Sequence, residues 1–163
     1  MVNKNITIEN ARIGFRNFAG KGSAYNAVGR RNFCVFLERE LADALKEDGW
    51  NVRWLKPRDE NEEDQGYLQV SVAFENVPPK IMMISGKGKT MLDEENVGIL
   101  DWAEIKCVDL IINPYNWVIQ EGTRNEKRGI KAYLKSMYVT LNEDEFESKY
   151  YDIPMENNDS LGN

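Results

Sequence analysis

The sequence has no histidine and only two cysteines in its 163 residues. Without an imidazole, histidine-based acid–base catalysis is excluded. Cys34 and Cys107 stand far apart, each in an apolar run (Phe33-Cys34-Val35-Phe36 and Cys107-Val108). They cannot assemble a zinc site between them and are expected to stay reduced and pack as small hydrophobes. No metal or other cofactor is expected. No stretch of eighteen apolar residues occurs, so no segment can cross a bilayer as a helix and no membrane partner is expected. Met1-Val2-Asn3-Lys4-Asn5 leads straight into an alternating pattern without the apolar core of a signal peptide, which makes the cytoplasm the expected location. The length fits one domain and is enough to bury a core without disulfides or metal.

An overall positive charge is also missing. Lysine and arginine number 21 against 27 acids, a formal net charge of −6. The charge is sorted along the chain, however. Residues 143–163 carry seven acids (Glu143, Asp144, Glu145, Glu147, Asp152, Glu156, Asp159) and one base, Lys149, which leaves 20 of each sign in residues 1–142. Within that neutral body, residues 1–35 hold six bases (Lys4, Arg12, Arg16, Lys21, Arg30, Arg31) against Glu9 alone. Residues 122–138 hold five (Arg124, Lys127, Arg128, Lys131, Lys135) against Glu126. Sorting of this kind can mark nucleic-acid contact beside an acidic tail. Two units are therefore expected: a folded domain over 1–142 and an acidic, partly disordered tail over 143–163.

The hydrophobic spacing predicts a mainly β chain. Residues 5–18 alternate near period two with one or two irregularities, a glycine-rich loop follows over 19–29, and residues 31–37 form a second strand. Leu37, Leu41, Ala44 and Leu45 then recur at three and four, which predicts a helix over 38–48 stopped by Gly49. Short strands are expected over 51–56, 67–74 and 80–85, with an exposed acidic loop over 58–66, a turn over 86–89 and a short helix over 93–100. Residues 103–119 read as extended, with Asn113-Pro114 as a bend or bulge. A basic loop over 120–129 leads to a last strand from Ile130 to Leu141. About seven strands with one or two short helices suggest a small barrel or sandwich, not alternating strands and helices.

Two features bear on chemistry. Ile84-Ser85-Gly86-Lys87-Gly88-Lys89-Thr90 imitates a P-loop, but the glycine needed five positions before Gly88 is replaced by Met83. A glycine-rich hairpin exposing Lys87 and Lys89 is the expected structure, and those lysines can still meet phosphate. The stronger pattern interleaves rings, bases and glycines. It comprises Arg16-Asn17-Phe18-Ala19-Gly20-Lys21 with Tyr25, Arg30-Arg31-Asn32-Phe33, Trp54-Leu55-Lys56-Pro57-Arg58, Tyr115-Asn116-Trp117, and Arg128-Gly129-Ile130-Lys131-Ala132-Tyr133. Single-stranded nucleic acid calls for these residue types, because every base offers a π-face to an aromatic ring while a basic groove follows the phosphates. Glycines nearby let the backbone approach closely. Trp50, Trp54, Phe33 and Phe74 are expected mainly in the core.

Several stretches resemble a family carried by tailed bacteriophages and described as single-stranded DNA-binding. They are Phe15-Arg16-Asn17-Phe18-Ala19-Gly20, Tyr25-Asn26, Gly29-Arg30-Arg31-Asn32-Phe33, Asp48-Gly49-Trp50-Asn51-Val52, Trp54-Leu55-Lys56-Pro57-Arg58, Leu100-Asp101-Trp102-Ala103, Val108-Asp109-Leu110-Ile111-Ile112 and Gly129-Ile130-Lys131-Ala132-Tyr133-Leu134-Lys135. The resemblance spans about residues 8–142. It implies an OB-like barrel that coats displaced single strands during phage replication or recombination, with an acidic tail that recruits replication proteins or competes with DNA for the basic groove. The expected DNA contacts are Arg16, Phe18, Lys21, Tyr25, Arg30, Arg31, Trp54, Lys56, Lys87, Lys127, Arg128, Lys131 and Tyr133. No catalytic residue is assigned, and the chain is expected not to be an enzyme. A homodimer contact through Ile111–Trp117 is compatible with the pattern. Two other functions fit the composition. One is a phage interaction protein that inhibits a host enzyme or blocks host defence through an acidic surface such as Asp59–Asp64. The other is a small enzyme acting on nucleic acid, using acids such as Asp93, Asp101 or Glu104 with Mg²⁺.

Overall fold

The structure is a computed structural model that describes residues 4–75 and 77–142, so the acidic tail lies outside the described residues. Its elements in chain order are β1 (Ile6–Ala11), β2 (Ile13–Asn17), β3 (Arg31–Leu37), α1 (Arg39–Glu47), β4 (Val52–Leu55), β5 (Gln65–Val72), β6 (Lys80–Ser85), β7 (Gly88–Leu92), a 3₁₀ turn (Val97–Asp101), β8 (Ile105–Ile119) and β9 (Lys127–Leu141). The fold is mainly β with one α-helix, and it is OB-like. No helix among the described residues is long and apolar enough to cross a membrane.

One sheet carries all the strands, in the order β1-β8-β9-β5-β3-β2, with β4 added to β5 and the β6–β7 hairpin added to β9. Its two outer strands, β1 and β2, are joined by the single residue Arg12. One segment of chain therefore runs along one edge, antiparallel to β8, bends, and runs along the other edge, antiparallel to β3. The bend is the irregularity in the alternation of residues 5–18. Asn10 and Phe15 take positive φ (52° and 47°), and the ladders skip between Ile8 and Ala11 and between Gly14 and Asn17. Such bulges sharpen the local twist and let a strand turn a corner. β9 also divides its edge, pairing with β5 at Ala132–Tyr133 and with β6 from Ser136 to Thr140.

The inner face follows from period two. Phe33, Val35 and Leu37 on β3 alternate inward beside Leu68, Val70 and Val72 on β5, and Val108, Leu110, Ile112, Met137 and Val139 extend the core across β8 and β9. Helix α1 closes the core with Ala42 and Leu45. It ends as the sequence predicts, at Gly49 with φ 103°, where Gly49 N–H bonds Lys46 O and Trp50 N–H bonds Leu45 O.

Nine strands form where about seven are expected. The first predicted strand is split at Arg12. The predicted turn over 86–89 is a tight hairpin whose second arm is β7, with Ser85 paired to Gly88. Four of the five residues of β7 face solvent, so no alternation announces the strand. The predicted basic loop is shorter as well, because Lys127, Arg128 and Gly129 pair with Ile119, Val118 and Trp117. The expected helix over 93–100 is a turn capped by the Asp93 carboxylate, followed by the 3₁₀ turn. A bulge falls beside Asn113, but the extra residue is Lys135 on β9, where Ile111 pairs with Ser136 and Ile112 with Leu134.

Candidate nucleic-acid interface

A cleft of about 830 Å³ opens where β3 begins, β5 ends and the β8–β9 hairpin projects past both. Its floor follows from register. Asn32 pairs with Ser71 and Ser71 with Tyr133, so these three side chains share the outer face of adjacent strands. On the hairpin, Tyr115 pairs with Lys131 and Trp117 with Gly129, which puts Tyr115, Trp117, Lys131 and Tyr133 on one face. Tyr115 meets Tyr133 edge-on, with centroids 6.1 Å apart at 85°, and Lys131 Nζ lies 5.1 Å from the Tyr133 centroid. Gly129 is required for its size, since a Cβ there would lie 2.4 Å from Trp117 Cζ2. The indole thus lies across the neighbouring strand with nothing beneath it but backbone.

The opposite wall is the loop before β3. Despite its glycines, this loop is tied down by Asn26. The Asn26 amide donates to Lys21 O, Ala27 O and Arg30 O, and its Oδ1 accepts from Asn32 Nδ2. Gly29 N–H bonds Gly20 O at 2.8 Å, closing the neck. Tyr25 is thereby held at the tip with its ring fully exposed. Arg31 enters at the base, with its guanidinium carbon 5.5 Å from the Phe74 centroid and Nη1 3.5 Å from Glu94 Oε2. Arg31 Nε is buried without a hydrogen-bond partner among the described residues. Three bases (Arg30, Arg31, Lys131) and two acids (Glu75, Glu94) line the cleft, which is therefore only weakly positive.

Five of the thirteen expected contacts, Tyr25, Arg30, Arg31, Lys131 and Tyr133, meet in this cleft. The others lie elsewhere. Phe18 is completely buried and stacks on Phe33 at 5.0 Å, so its ring has no face to offer a base. Arg16 Nη1 donates to Leu100 O and Ala103 O, both at 2.8 Å, which fastens β2 to the 3₁₀ turn. Trp54 is half-buried under the Arg39 guanidinium, and Lys56 is exposed just past β4. Lys21 lies over the Trp102 ring at 4.8 Å, outside the cleft lining. Lys87 sits in the β6–β7 turn, and Lys127 begins β9 at the hairpin end. Arg128 is held by Glu126, with Nε to Oε2 at 2.8 Å. The hydrogen bond from Arg128, with a second from Gly122 N–H, holds the Glu126 carboxyl below the usual carboxylate range. Conversely, Trp117, Tyr115 and Phe74 belong to or adjoin the cleft but are absent from the expected contacts. The pairing of Trp117 with Gly129, which the sequence does not display, is the signal for the first. Two of the three acids considered for a metal-assisted reaction have structural partners: Asp101 accepts from Phe18 N–H and Ala19 N–H, and Asp93 from Glu95 N–H and Asn96 N–H.

An OB-like sheet with rings and bases converging on one face defines a class of protein that handles single-stranded nucleic acid. The model of a family described as "Putative phage ssDNA-binding domain" matches residues 1–162, and the chain belongs to that family. No curated protein matches the chain. Among solved structures, it is similar to the C-terminally truncated single-stranded DNA-binding protein of bacteriophage Enc34, with a TM-score of 0.53 and 11% identity over 86% of this chain and 87% of that one. It is also similar to the Enc34 protein in complex with ssDNA, with a TM-score of 0.54 and 11% identity over 86% and 88% of the two chains. The bacteriophage T7 single-stranded DNA-binding protein gp2.5 aligns over 96% of this chain and 100% of its own, with 12% identity and a TM-score of 0.44. At these identities the likeness is one of fold.

Proposed function

We propose that this chain binds single-stranded DNA in the cleft between the loop of residues 20–30 and the β8–β9 hairpin, and that it coats displaced strands during phage replication or recombination. The observation that carries the site is the shared face of Tyr115, Trp117, Lys131 and Tyr133, set opposite Tyr25, Arg30 and Arg31. Trp117 and Tyr133, four residues apart in the register of the hairpin, offer ring faces to bases separated along the strand, while Arg30, Arg31 and Lys131 meet the phosphates between them. Membership of the phage family supports the nature of the ligand. The function is binding without turnover, in the cytoplasm of the host cell. Residues 143–163 act as an acidic competitor for the cleft or as a tether for replication proteins, a role that rests on their charge. The open edge of β8 beyond Ile112, which β1 does not reach, is the place for a homodimer contact.

Fluorescence anisotropy with a labelled oligo-dT of about thirty nucleotides tests this at low and moderate salt. The wild type is expected to bind in a salt-sensitive way. Trp117→Ala should lose about 1–3 kcal/mol, the usual worth of one stacked base, and Tyr25→Ala combined with Arg30→Ala should weaken binding as well. No binding by the wild type at low salt would remove the function and leave a protein-interaction role through the acidic surface. Wild-type binding that none of these substitutions alters would remove this site.

A further inference from the structure

A second cluster of rings lies on the same face of the sheet, at the other end of β5. Phe15 is 60% exposed and takes φ 47°, a left-handed conformation that phenylalanine rarely adopts. It sits where the β2–β3 ladder skips between Gly14 and Asn17, and bulges of this kind re-aim side chains. Here the ring is brought 6.3 Å from Phe36 and 6.0 Å from Tyr67, tilted at 59° and 52°. Phe36 and Tyr67 are direct cross-strand partners. Two exposed arginines flank the trio. Arg12 holds its guanidinium carbon 5.3 Å from the Phe36 centroid, and Arg53 pairs with Tyr67 from β4 and so shares its face.

Tyr67, Gln69 and Ser71 project from one face of β5, and Ser71 and Gln69 both line the cleft. Tyr67 is four residues from Ser71, about 13 Å along the strand at roughly 3.3 Å per residue. That span is room for a few nucleotides of a strand lying along β5. We propose that Phe15, Phe36 and Tyr67, flanked by Arg12 and Arg53, form a second stacking subsite for the same DNA strand, which leaves the cleft along the outer face of β5. The inference rests on single-strand binding in the cleft. It adds a direction for the strand and a minimum length for full affinity. The occupant is nucleic acid because the cluster continues the floor of the cleft and because both of its flanking charges are positive. Strain in a bulge that presents an exposed ring is also a feature found where a site needs the side chain in that position.

The test is anisotropy on the full chain with oligo-dT ligands from about four to about twenty nucleotides, a range that brackets the span of one OB fold. Trp117→Ala should weaken every length. Phe15→Ala and Arg53→Gln should match the wild type on the shortest ligands and lose about fivefold or more on those long enough to reach both clusters. Both positions are exposed, and melting curves would show that the variants remain folded. If both variants equal the wild type at every length while the wild type binds, the subsite is overturned and the cleft stands. An equal loss at all lengths also overturns it, because Phe15 would then act on the cleft through the fold. Failure of the wild type to bind any length would instead remove the reading on which the subsite depends.

Discussion

Asn26 makes four side-chain hydrogen bonds, three within the loop that walls the cleft and one with Asn32 on β3, and they fix Tyr25 at the loop's tip. A ring held in place loses less freedom when a base stacks on it, so pre-organisation adds to affinity without adding a contact. Arg31 is the opposite case, since its charge is already partnered by Glu94 at 3.5 Å. A phosphate arriving at Arg31 meets a carboxylate that repels it and competes for the same guanidinium. Glu94→Gln should therefore tighten oligo-dT binding by up to about fivefold, the scale of an exposed ion pair, with the gain shrinking as salt is raised. Equal affinity of the variant and wild type in low salt would show that Glu94 does not compete. Cys34 gives a prediction of stability. Burial pushes its thiol from 9.0 up to about 11, with the Arg53 charge opposing the shift. The unfolded chain releases this proton from about pH 9 while the folded chain keeps it to about pH 11, so the unfolded state binds fewer protons in that window. Stability contributed by the protonated thiol is complete below pH 9 and falls as pH rises through that interval. Denaturant unfolding of the wild type should lose stability more steeply over this range than Cys34→Ala, whatever their difference at pH 7.

At the scale of elements, α1 and the strands flanking it show how far local pattern reaches. Leu41 and Leu45 at helical spacing, followed by Gly49, mark a helix whose observed end has the two hydrogen bonds a glycine terminator makes. With φ at 103°, Gly49 has no strain-free replacement among L-residues. Gly49→Ala should cost about 1–2 kcal/mol and lower Tm by about 2–8 °C, readable by thermal denaturation. β3 and β5 were equally legible, because one face is buried along their length and alternation is the trace of that burial. β7 and the first residues of β9 were not. Apart from Leu92, their side chains face solvent, so little in their composition separates them from a loop. The site divides along the same line. Tyr25, Arg30, Arg31, Lys131 and Tyr133 could be picked out by residue type near glycines, and the fold gathers them. Phe18 and Arg16 have the same types and the same neighbours, but one turns inward onto Phe33 and the other spans to the carbonyls of Leu100 and Ala103, partners more than eighty positions away. Trp117 depends on Gly129, its partner across the β8–β9 hairpin twelve positions away. Such cross-strand terms are long-range, and no window of sequence contains them.

For the whole molecule, the central question is how a chain with a net charge of −6 holds a polyanion. The folded body through residue 142 carries equal numbers of bases and acids, so long-range attraction is weak and the proposed cleft would have to hold the strand by short-range contacts. Three phosphate contacts, from Arg30, Arg31 and Lys131, would give a slope of about −2 in log affinity against log salt, at roughly 0.7 per contact on a single strand. That slope is shallow beside that of strongly basic binders, and it leaves stacking with most of the affinity. Residues 143–163 add seven acids and one base. If they compete for the cleft, truncation after Asn142 should tighten binding most at about 0.01 M salt, where the Debye length is ~30 Å, and least near 1 M, where it is ~3 Å. The truncated chain should also show the slope of the cleft alone, because no tail has to be displaced by the DNA. Parallel salt plots for the full and truncated chains, offset by nothing at either end, would show that the tail does not compete for the cleft. A role in recruiting partner proteins would then be left for it. Convergence at high salt with a gap opening at low salt would identify residues 143–163 as an electrostatic competitor, one that a long, multiply charged strand displaces more readily than a short one.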